Sequence, residues 1–230
     1  MKKTIYDIFV PAGGRGKRLG AISNNIPKPL IKINNQQFII KVIKSLLKIK
    51  VLNVYILTSY KDKKFFSIKN FFSKYFFELN LVKDIKRIGT FSALYNVRNL
   101  IKNHFIYTNS DEILDINNIK FINLFENYKL DILQLYFPDS KGISLDKKLV
   151  INKKKFSSNK KYIEGGLKIF NKDIFKKKLP SIKYFKIEDF IKKNNHKLNV
   201  KYFIIKDKPY SIDTWKRIQR TKKFLKKNKL

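Results

Sequence analysis

Apolar residues along the chain follow two alternating spacings. Short runs of consecutive apolar residues, typical of buried strands, alternate with stretches in which apolar residues recur at i, i+3 and i+4, the spacing of a helix with one buried face. The pattern predicts strands at 4–10, 52–58, 79–85, 104–109 and 131–137, and helices at 37–50, 61–77, 90–101 and 117–130. Because strands that alternate with helices form βαβ units, we predict an α/β fold with a mainly parallel sheet.

The spacing becomes irregular after Pro138. In this part the pattern predicts strands at 149–152, 162–170 and 199–205, and helices at 187–195 and 214–227. No linker, internal repeat or low-complexity stretch separates it from the first part. We therefore predict a single domain, 1–230, with two differently built halves, 1–137 and 138–230.

Composition narrows the class of protein. The chain has 230 residues, of which 43% are hydrophobic, so it can form a substantial core and is not disordered as a whole. It has no cysteine and two histidines, which excludes disulfides, thiolate nucleophiles and zinc sites built on sulfur or several imidazoles. Lysines interrupt every long apolar stretch, and the N-terminus is a poor signal peptide, so we predict a cytoplasmic protein without a membrane partner.

The net charge of +35 comes from 52 Lys+Arg against 17 Asp+Glu. Dedicated nucleic-acid surfaces usually enrich and cluster arginine, whereas here lysines are spread over the whole chain and arginine is scarce. We interpret the charge as a solvated lysine coat and expect no specific nucleic-acid partner. A basic nucleic-acid binder is the alternative interpretation.

A glycine-rich loop follows the first predicted strand, with the sequence AGGRGKRL from Ala12 to Leu19. It fits neither the Walker loop nor the dinucleotide fingerprint. Its glycines allow backbone N–H groups to approach an anion, and Arg15, Lys17 and Arg18 add positive charge. Since ligands of α/β sheets bind where strands end, the loop predicts a site for a phosphorylated ligand.

A second segment, Pro27-Lys28-Pro29-Leu30, places one lysine between two prolines. The prolines restrict the backbone, so little conformational freedom is lost when the lysine grips a ligand. An ammonium held in this way is suited to a phosphate oxygen.

Together the two segments resemble the signature of the sugar-1-phosphate nucleotidyltransferases, also called nucleoside-diphosphate-sugar pyrophosphorylases. The resemblance implies the nucleotide-diphospho-sugar transferase fold, a Rossmann-like mixed, mainly parallel sheet with helices on both faces. It also implies transfer of a nucleotidyl group from an NTP to a sugar 1-phosphate, giving an NDP-sugar and pyrophosphate with Mg²⁺ as cofactor. Within that family, 1–137 would be the nucleotide-binding half and 138–230 the sugar-binding half.

Further segments follow the order of the family's motifs. Gly89-Thr90 is similar to the segment near the base, and Asn109-Ser110-Asp111 is similar to the motif whose aspartate holds magnesium. Ser211-Ile212-Asp213-Thr214 is similar to the motif of the second metal carboxylate, and 162–170 to the sugar-binding strand, with Glu164 in place of the usual asparagine. The resemblance implies these site residues: Arg18 and Lys28 for catalysis; Ala12, Gly13, Gly14, Gly16, Lys17, Gly89 and Thr90 for the nucleotide; Lys153, Glu164 and Gly165 for the sugar; Asp111 and Asp213 for Mg²⁺.

Such a reaction needs no general base, because the attacking phosphate oxygen is already ionised at neutral pH. The catalytic requirement is to neutralise and align two anions that repel each other. Under this hypothesis Arg18 contacts the leaving pyrophosphate, Lys28 the α-phosphate and the incoming phosphate, and Lys153 the sugar phosphate.

Other interpretations stay open at this point. The acceptor could be an alcohol phosphate such as phosphocholine, with cytidylyl transfer, or the reaction could be guanylyl transfer in cofactor synthesis. The protein could also be a non-catalytic paralogue, and a homo-oligomer is left open. Asp111 could belong to an acidic turn that caps the helix at Asn117, Asp213 could be a helix N-cap, and Lys153 could lie on a solvated face. From the short segment after Asp213 we expect no appended hexapeptide-repeat domain.

Overall fold

The computed structural model describes residues 4–14, 19–20, 25–59, 61–83, 89–176, 186–194 and 196–228. The strands are β1 (Tyr6–Pro11), β2 (Lys32–Ile33), β3 (Gln36–Gln37), β4 (Val51–Thr58), β5 (Glu78–Lys83), β6 (His104–Thr108), β7 (Glu112–Ile113), β8 (Ile132–Ile143), β9 (Tyr162–Phe170), β10 (Val200–Ile204) and β11 (Tyr210–Ser211). The helices are α1 (Phe38–Leu46), α2 (Phe66–Phe72), α3 (Thr90–Asn96), α4 (Asn118–Asn127), α5 (Ile187–Asn194) and α6 (Trp215–Lys227). The chain forms two compact units, each built from separate stretches.

Unit one contains the described residues of 1–87, 108–113 and 210–230. In it β4 pairs in parallel with β1 and with β5, and Ile56 of β4 lies opposite Val10 and Leu81. Residues 6–10 of β1 are all buried, as expected for a parallel strand covered on both faces. The side chains of Ile31, Phe38, Ile113, Ile212 and Phe224, among others, form one apolar core. This core joins stretches that lie far apart in the sequence.

Two short antiparallel pairs complete unit one. β2 and β3 form a hairpin whose turn residues, Asn34 and Asn35, have φ of 51° and 62°. Asparagine tolerates this left-handed backbone, which two-residue hairpin turns require. β7 pairs with β11, with Glu112 opposite Ser211. This second pair brings the segment after β6 beside the segment that leads into α6.

Unit two contains the described residues of 88–107 and 114–209, and its strands lie in the order β10-β8-β9-β6. β8 pairs in parallel with β10 and antiparallel with β9. Helix α3 packs on α5 through Phe91 and Phe190, whose rings stack at 3.9 Å. Thr90 Oγ1 also accepts a hydrogen bond from Ile187 N at 3.1 Å, which ties together the first residues of the two helices.

Most predicted elements are confirmed, including the helix capped by Asn117, whose side chain accepts from Lys120 N at 3.0 Å. The strand predicted at 149–152 is wrong. A 3₁₀ turn at Lys147–Leu149 occupies its start, and Val150 makes a single bridge to Tyr202. A lone buried valine is enough for a strand-like pattern, but the lysines on both sides keep the chain at the surface.

Other elements differ in length from their predictions, and the helix predicted at 37–50 ends at Leu46. The helix predicted at 61–77 begins as a 3₁₀ turn, Asp62–Phe65, and its α-helical part is α2. The helix predicted at 90–101 ends at Asn96, followed by a 3₁₀ turn. The predicted boundary after residue 137 falls inside β8, which continues to Ile143. The assignment of two halves to nucleotide and sugar stays a prediction.

Within the described part of the chain, no helix combines the length and the apolar character needed to cross a bilayer.

Candidate active site

Lys28 is held by the backbone of a short 3₁₀ turn, Lys28–Leu30, in unit one. Pro27 precedes the turn with φ of −51°, close to the value that its ring imposes, and its carbonyl accepts from Leu30 N at 2.9 Å. Lys28 is itself 9% exposed. The two prolines and the turn therefore fix the start of a lysine side chain that runs through the interior of the unit.

The β7–β11 pair brings Asp111 and Asp213 together. Asp111 immediately precedes β7 and Asp213 lies two residues after β11, and Ile212 N donates to the backbone oxygen of Asp111 at 3.2 Å. Lys28 Nζ makes ion pairs with Oδ2 of Asp111 and with Oδ1 of Asp213. Three residues that lie in separate parts of the sequence therefore form one cluster.

Asp213 has further partners in α6 and β11. Arg217 Nη1 lies 2.7 Å from Asp213 Oδ2, and Ser211 Oγ donates to the same oxygen at 3.3 Å. Arg217 stands one helical turn after Asp213, which is the spacing of an i,i+4 ion pair. We did not assign Arg217 from the sequence, although this spacing was the available signal.

The charges in the cluster stabilise one another. Burial alone would lower the pKa of Lys28, but Asp111 and Asp213 outweigh it and raise the pKa above its ordinary value. Burial would likewise raise the pKa of Asp213, but hydrogen bonding and charge from Lys28, with a contribution from Arg217, hold it below its ordinary value. Lys28 is therefore an ammonium and Asp213 a carboxylate at neutral pH.

The two aspartates do not cap helices. The N-cap of α4 is Asn117, and the N-cap of α6 is Thr214, whose hydroxyl accepts from Arg217 N at 3.4 Å. Capping therefore explains neither Asp111 nor Asp213. Their carboxylates are directed at a lysine instead, which is the arrangement expected of a site that handles charge.

The donor set of Asp111 and Asp213 fits Mg²⁺. A single cation, the ammonium of Lys28, already contacts both carboxylates, so a divalent ion could reach both as well. Mg²⁺ prefers oxygen and often uses only one or two carboxylates, with water and substrate phosphates as its other ligands. Among the residues that the structure describes, no group of three or more His, Cys, Asp or Glu side chains could hold a metal. The site therefore suits an ion that its substrates help to bind.

Part of the glycine loop lies in the same unit. Ala12 N donates to Leu57 O at 2.8 Å, and Ser59 Oγ donates to Gly13 O at 3.0 Å, which anchors the start of the loop to the end of β4. A Cβ at Gly13 would lie 2.4 Å from Ser59 Oγ, whereas a Cβ at Gly14 would have no atom of the described residues within 4 Å. A Cβ at Gly13 would therefore displace the hydroxyl of Ser59, whereas the described residues leave open space where a Cβ at Gly14 would point. The predicted residues Gly16, Lys17 and Arg18 lie outside the described residues.

The other predicted nucleotide residues, Gly89 and Thr90, lie at the start of α3 in unit two. Gly89 has φ of 118°, a conformation that favours glycine, and it is the N-cap of the helix. The hydroxyl of Thr90 accepts the hydrogen bond from α5 described above. These contacts give both residues a structural role, and their contact with a nucleotide stays a prediction.

The predicted sugar-binding residues in unit two do not form one group. Lys153 is exposed in a 3₁₀ turn, Lys153–Lys155. Glu164 lies in β9, where its Oε1 accepts from Gly166 N at 2.6 Å and pairs with Lys168 Nζ at 2.8 Å. A Cβ at Gly165 would lie 2.4 Å from Leu135 Cδ2, so a larger residue there would displace this buried leucine of β8.

Glu164 lines a cavity of about 630 Å³ in unit two. The same cavity is lined by Gln134 and Tyr136 from β8 and by Glu188 from α5. Lys153 and Gly165 are not among its lining residues. Sequence reasoning missed Gln134, Tyr136 and Lys168; the available signal was that a glutamine and a lysine interrupt otherwise apolar strands.

The cluster of one rigid lysine and two carboxylates, in the same unit as the glycine loop, supplies the charges that phosphoryl-group chemistry requires. Residues 9–142 match the model of the nucleotidyl transferase family, and the chain belongs to that family. This confirms the resemblance found in the sequence, and with it an enzyme of the nucleotidyltransferase class.

Individual relatives agree with this assignment. The chain is 30% identical to the D-glycero-alpha-D-manno-heptose 1-phosphate guanylyltransferase of Campylobacter jejuni over 210 residues, which cover 89% of this chain and 92% of the relative. The structure of HddC from Yersinia pseudotuberculosis is similar with a TM-score of 0.75 at 22% identity, over 96% of this chain and 99% of HddC. The inositol-1-phosphate CTP transferase of T. maritima is similar with a TM-score of 0.72 at 15% identity, over 97% of this chain and 98% of that protein. The structural matches confirm the predicted α/β fold, a mixed and mostly parallel sheet with helices.

Proposed function

We propose that this protein transfers a nucleotidyl group from an NTP to a sugar 1-phosphate and releases pyrophosphate. The observation that carries the proposal is the cluster in which Lys28 contacts both Asp111 and Asp213. Such a cluster supplies both a cation for phosphate oxygens and a pair of oxygen ligands for a divalent ion. The guanylyltransferase from Campylobacter jejuni, similar over 92% of its own length, supports the choice of a sugar 1-phosphate as acceptor.

The reaction exchanges one phosphoanhydride bond for another. An ionised oxygen of the sugar phosphate forms a bond to the α-phosphorus of the NTP. The bond from that phosphorus to the bridging oxygen of the β-phosphate breaks, and pyrophosphate leaves with the electron pair. No proton has to be removed from the nucleophile, so the chemistry depends on charge and alignment.

Lys28 has the position and charge for this task. An ammonium carries three N–H groups, so Lys28 can donate to Asp111, to Asp213 and to a phosphate oxygen at the same time. Its surroundings are largely buried, and there a charge interacts more strongly than it does in water. Asp111 and Asp213 would hold Mg²⁺, which when bound neutralises phosphate charge. Arg217 orients Asp213 by pairing with Oδ2, the carboxylate oxygen that Lys28 does not contact.

The finer part of the proposal is a guanylyl group and a heptose-like acceptor. Two relatives, from Campylobacter jejuni and Aneurinibacillus thermoaerophilus, are both D-glycero-alpha-D-manno-heptose 1-phosphate guanylyltransferases. Their similarity covers 89% and 81% of this chain. GTP with a manno-configured sugar 1-phosphate is therefore the first substrate pair to test.

A pyrophosphate-release screen tests the proposed function. The four NTPs are each combined with a panel of sugar 1-phosphates, myo-inositol 1-phosphate and phosphocholine, in the presence of Mg²⁺. We expect release with one NTP and a sugar 1-phosphate, and none after removal of Mg²⁺ by EDTA. Release with phosphocholine alone would show that the acceptor assignment is wrong. Silence across the panel together with salt-sensitive duplex binding that survives Lys28→Ala would favour a basic nucleic-acid binder instead.

The glycine loop offers a separate prediction for the NTP site. Gly14→Ala should leave the melting temperature unchanged, because the added Cβ meets no atom within 4 Å in the part of the chain that the structure describes. If the backbone at Gly14 approaches the triphosphate, the same Cβ should raise the KM for the NTP about tenfold, the effect of one lost hydrogen bond, since it separates the N–H groups from the phosphates. Steady-state kinetics and thermal unfolding of the variant measure the two effects.

Gly13→Ala is the comparison for that variant. Its Cβ must displace the hydroxyl of Ser59, which costs about 1 kcal/mol for the lost hydrogen bond to Gly13 O. A lower melting temperature is therefore expected only for this variant. A Gly14→Ala protein with an unchanged KM for every NTP would contradict a nucleotide cradle at that position.

A further inference from the structure

A polar group of residues lies within the pairing of β8 and β9 in unit two. Gln134 lies opposite Lys168, and Tyr136 lies opposite Glu164. The register shifts between these two pairs, at Gly165 and Gly166, and Gly166 has φ of 74°. Such a bulge re-aims side chains locally. Here Gln134, Tyr136 and Glu164 all line the cavity of about 630 Å³.

Lys168 supplies the positive charge that faces the carboxylates of this polar group. Its side chain is 2% exposed, and its Nζ lies 2.8 Å from Glu164 Oε1 and 3.5 Å from Glu188 Oε1. The ring centroid of Tyr107 lies 5.5 Å from the same nitrogen. A buried ammonium needs such partners, because an unpaired charge in the interior is very costly. With Gly166 N also donating to Oε1, the carboxylate of Glu164 is fixed in place.

Gln134 is the member of the group whose side chain has an unsatisfied hydrogen-bond donor. It is 1% exposed, and its Oε1 accepts from the hydroxyl of Tyr136 at 3.4 Å. Its Nε2 has no hydrogen-bond partner among the described residues. A buried amide group without a partner costs about 1–3 kcal/mol, so its presence at a cavity wall needs a reason. An acceptor oxygen on a ligand in the cavity would provide one.

The neighbours of Gln134 narrow the chemistry of that ligand. Burial, with smaller effects from Tyr202, Glu164 and Glu188, raises the pKa of Tyr136, so its hydroxyl stays neutral. The cavity wall thus combines an amide donor from Gln134 with carboxylate acceptors from Glu164 and Glu188. Hydroxyl groups on a ring match both, since each can accept and donate. A trimethylammonium group matches the carboxylates but offers no oxygen to Gln134.

We infer that Gln134 is a specificity-determining residue, whose Nε2 donates to a ring oxygen or hydroxyl of the acceptor while Glu164 accepts from another hydroxyl. The inference rests on the proposed function, because it assigns the cavity of unit two to the sugar of the sugar 1-phosphate. It selects a polyhydroxylated ring over phosphocholine as the acceptor.

Gln134→Leu tests the inference, since leucine has a similar size and no donor. We expect the KM for the sugar 1-phosphate to rise at least tenfold, about 1.4 kcal/mol, while the KM for the NTP stays unchanged. The melting temperature should change little, because the substitution removes an unpaired amide but also the acceptor of the Tyr136 hydroxyl. Gln219→Leu, an exposed glutamine in α6, is the matched control and should change neither KM.

Monodeoxy sugar 1-phosphates identify the oxygen that Gln134 contacts. For one of them, wild type and Gln134→Leu should show the same KM, because that analogue lacks the acceptor. An unchanged acceptor KM in Gln134→Leu, or an equal rise in both KM values, would overturn the inference while the proposed function stands.

A failure of the proposed function would be seen in the activity of the wild type, without any comparison with Gln134→Leu. If the wild type turned over phosphocholine but none of the sugar 1-phosphates, both the proposed function and the inference about Gln134 would be overturned. If the wild type shows no transfer at all, calorimetric titration of the same sugar 1-phosphates decides the inference. Weaker binding to Gln134→Leu than to wild type supports it, and equal or absent binding overturns it.

Discussion

Replacing Lys28 by methionine is expected to lower the rate of nucleotidyl transfer by on the order of 10²–10³. Methionine keeps an unbranched side chain of similar length and removes the ammonium that contacts Asp111 and Asp213. The phosphate oxygens then lose a pre-positioned cation that water cannot replace in a largely buried site. Steady-state pyrophosphate release at saturating substrates measures the loss.

The same variant has a second, independent readout. Without Lys28 the two carboxylates repel each other, so added Mg²⁺ should raise the melting temperature of Lys28→Met more than that of the wild type. Lys32→Met, an exposed lysine four residues further on, is the matched control and should behave as wild type. Wild-type turnover by Lys28→Met would contradict the role of this lysine. A melting temperature of the variant that does not respond to Mg²⁺ would contradict metal binding by the two aspartates.

Asp111→Asn and Asp213→Asn are expected to show the second large effect. Each keeps the shape of the side chain and removes one anionic oxygen ligand, so each should lower the rate by on the order of 10²–10³ at the Mg²⁺ concentration that saturates the wild type. Higher Mg²⁺ should recover part of the activity, because the remaining carboxylate still attracts the ion. The measurement is the Mg²⁺ dependence of the rate.

Asp115→Asn is the control for these variants, since Asp115 is exposed and lies four residues after Asp111. Its Mg²⁺ dependence should match that of the wild type. If Asp213→Asn needed no more Mg²⁺ than the wild type while Asp111→Asn did, Asp111 alone would be the metal ligand. The interaction of Asp213 with Lys28 and Arg217 would then be its whole role.

The restricted backbone around Lys28 could be predicted from local chemistry. Its neighbours Pro27 and Pro29 act on the backbone within a few residues, and the structure shows the rigid turn that they predict. Asn117 was equally predictable, because a helix cap depends on contacts only three residues away. Such features depend on short-range sterics and hydrogen bonds, which a sequence displays directly.

The local sequence pattern could not predict that Lys28 contacts both Asp111 and Asp213. It depends on the pairing of β7 with β11, strands of two residues each that have no hydrophobic period of their own. Only the order of the family's motifs suggested that Asp111 and Asp213 belong to one site. The structure brings the two carboxylates together, since the ammonium of Lys28 contacts both.

The pocket of unit two was predictable only in part. Glu164 was identified as a departure from the family pattern, a negative charge beside the sugar. The structure shows that Lys168, four residues further along the strand, balances this charge from the interior. A lysine among apolar strand residues was a visible signal, but its partners follow from the bulge at Gly165–Gly166 and from α5, neither of which the sequence locates.

The central claim is that the Lys28 cluster joins two phosphorylated molecules, and ³¹P NMR of the reaction tests it most directly. The wild type is incubated with GTP, a manno-configured sugar 1-phosphate and Mg²⁺. We predict that the resonances of GTP and of the sugar phosphate decline together, while pyrophosphate and the diphosphate of an NDP-sugar appear in equal amounts. Lys28→Met should give almost no product in the same time. Conversion of GTP to GDP and orthophosphate, with the sugar phosphate unchanged, would contradict the account, because water and not the sugar phosphate would then be the acceptor.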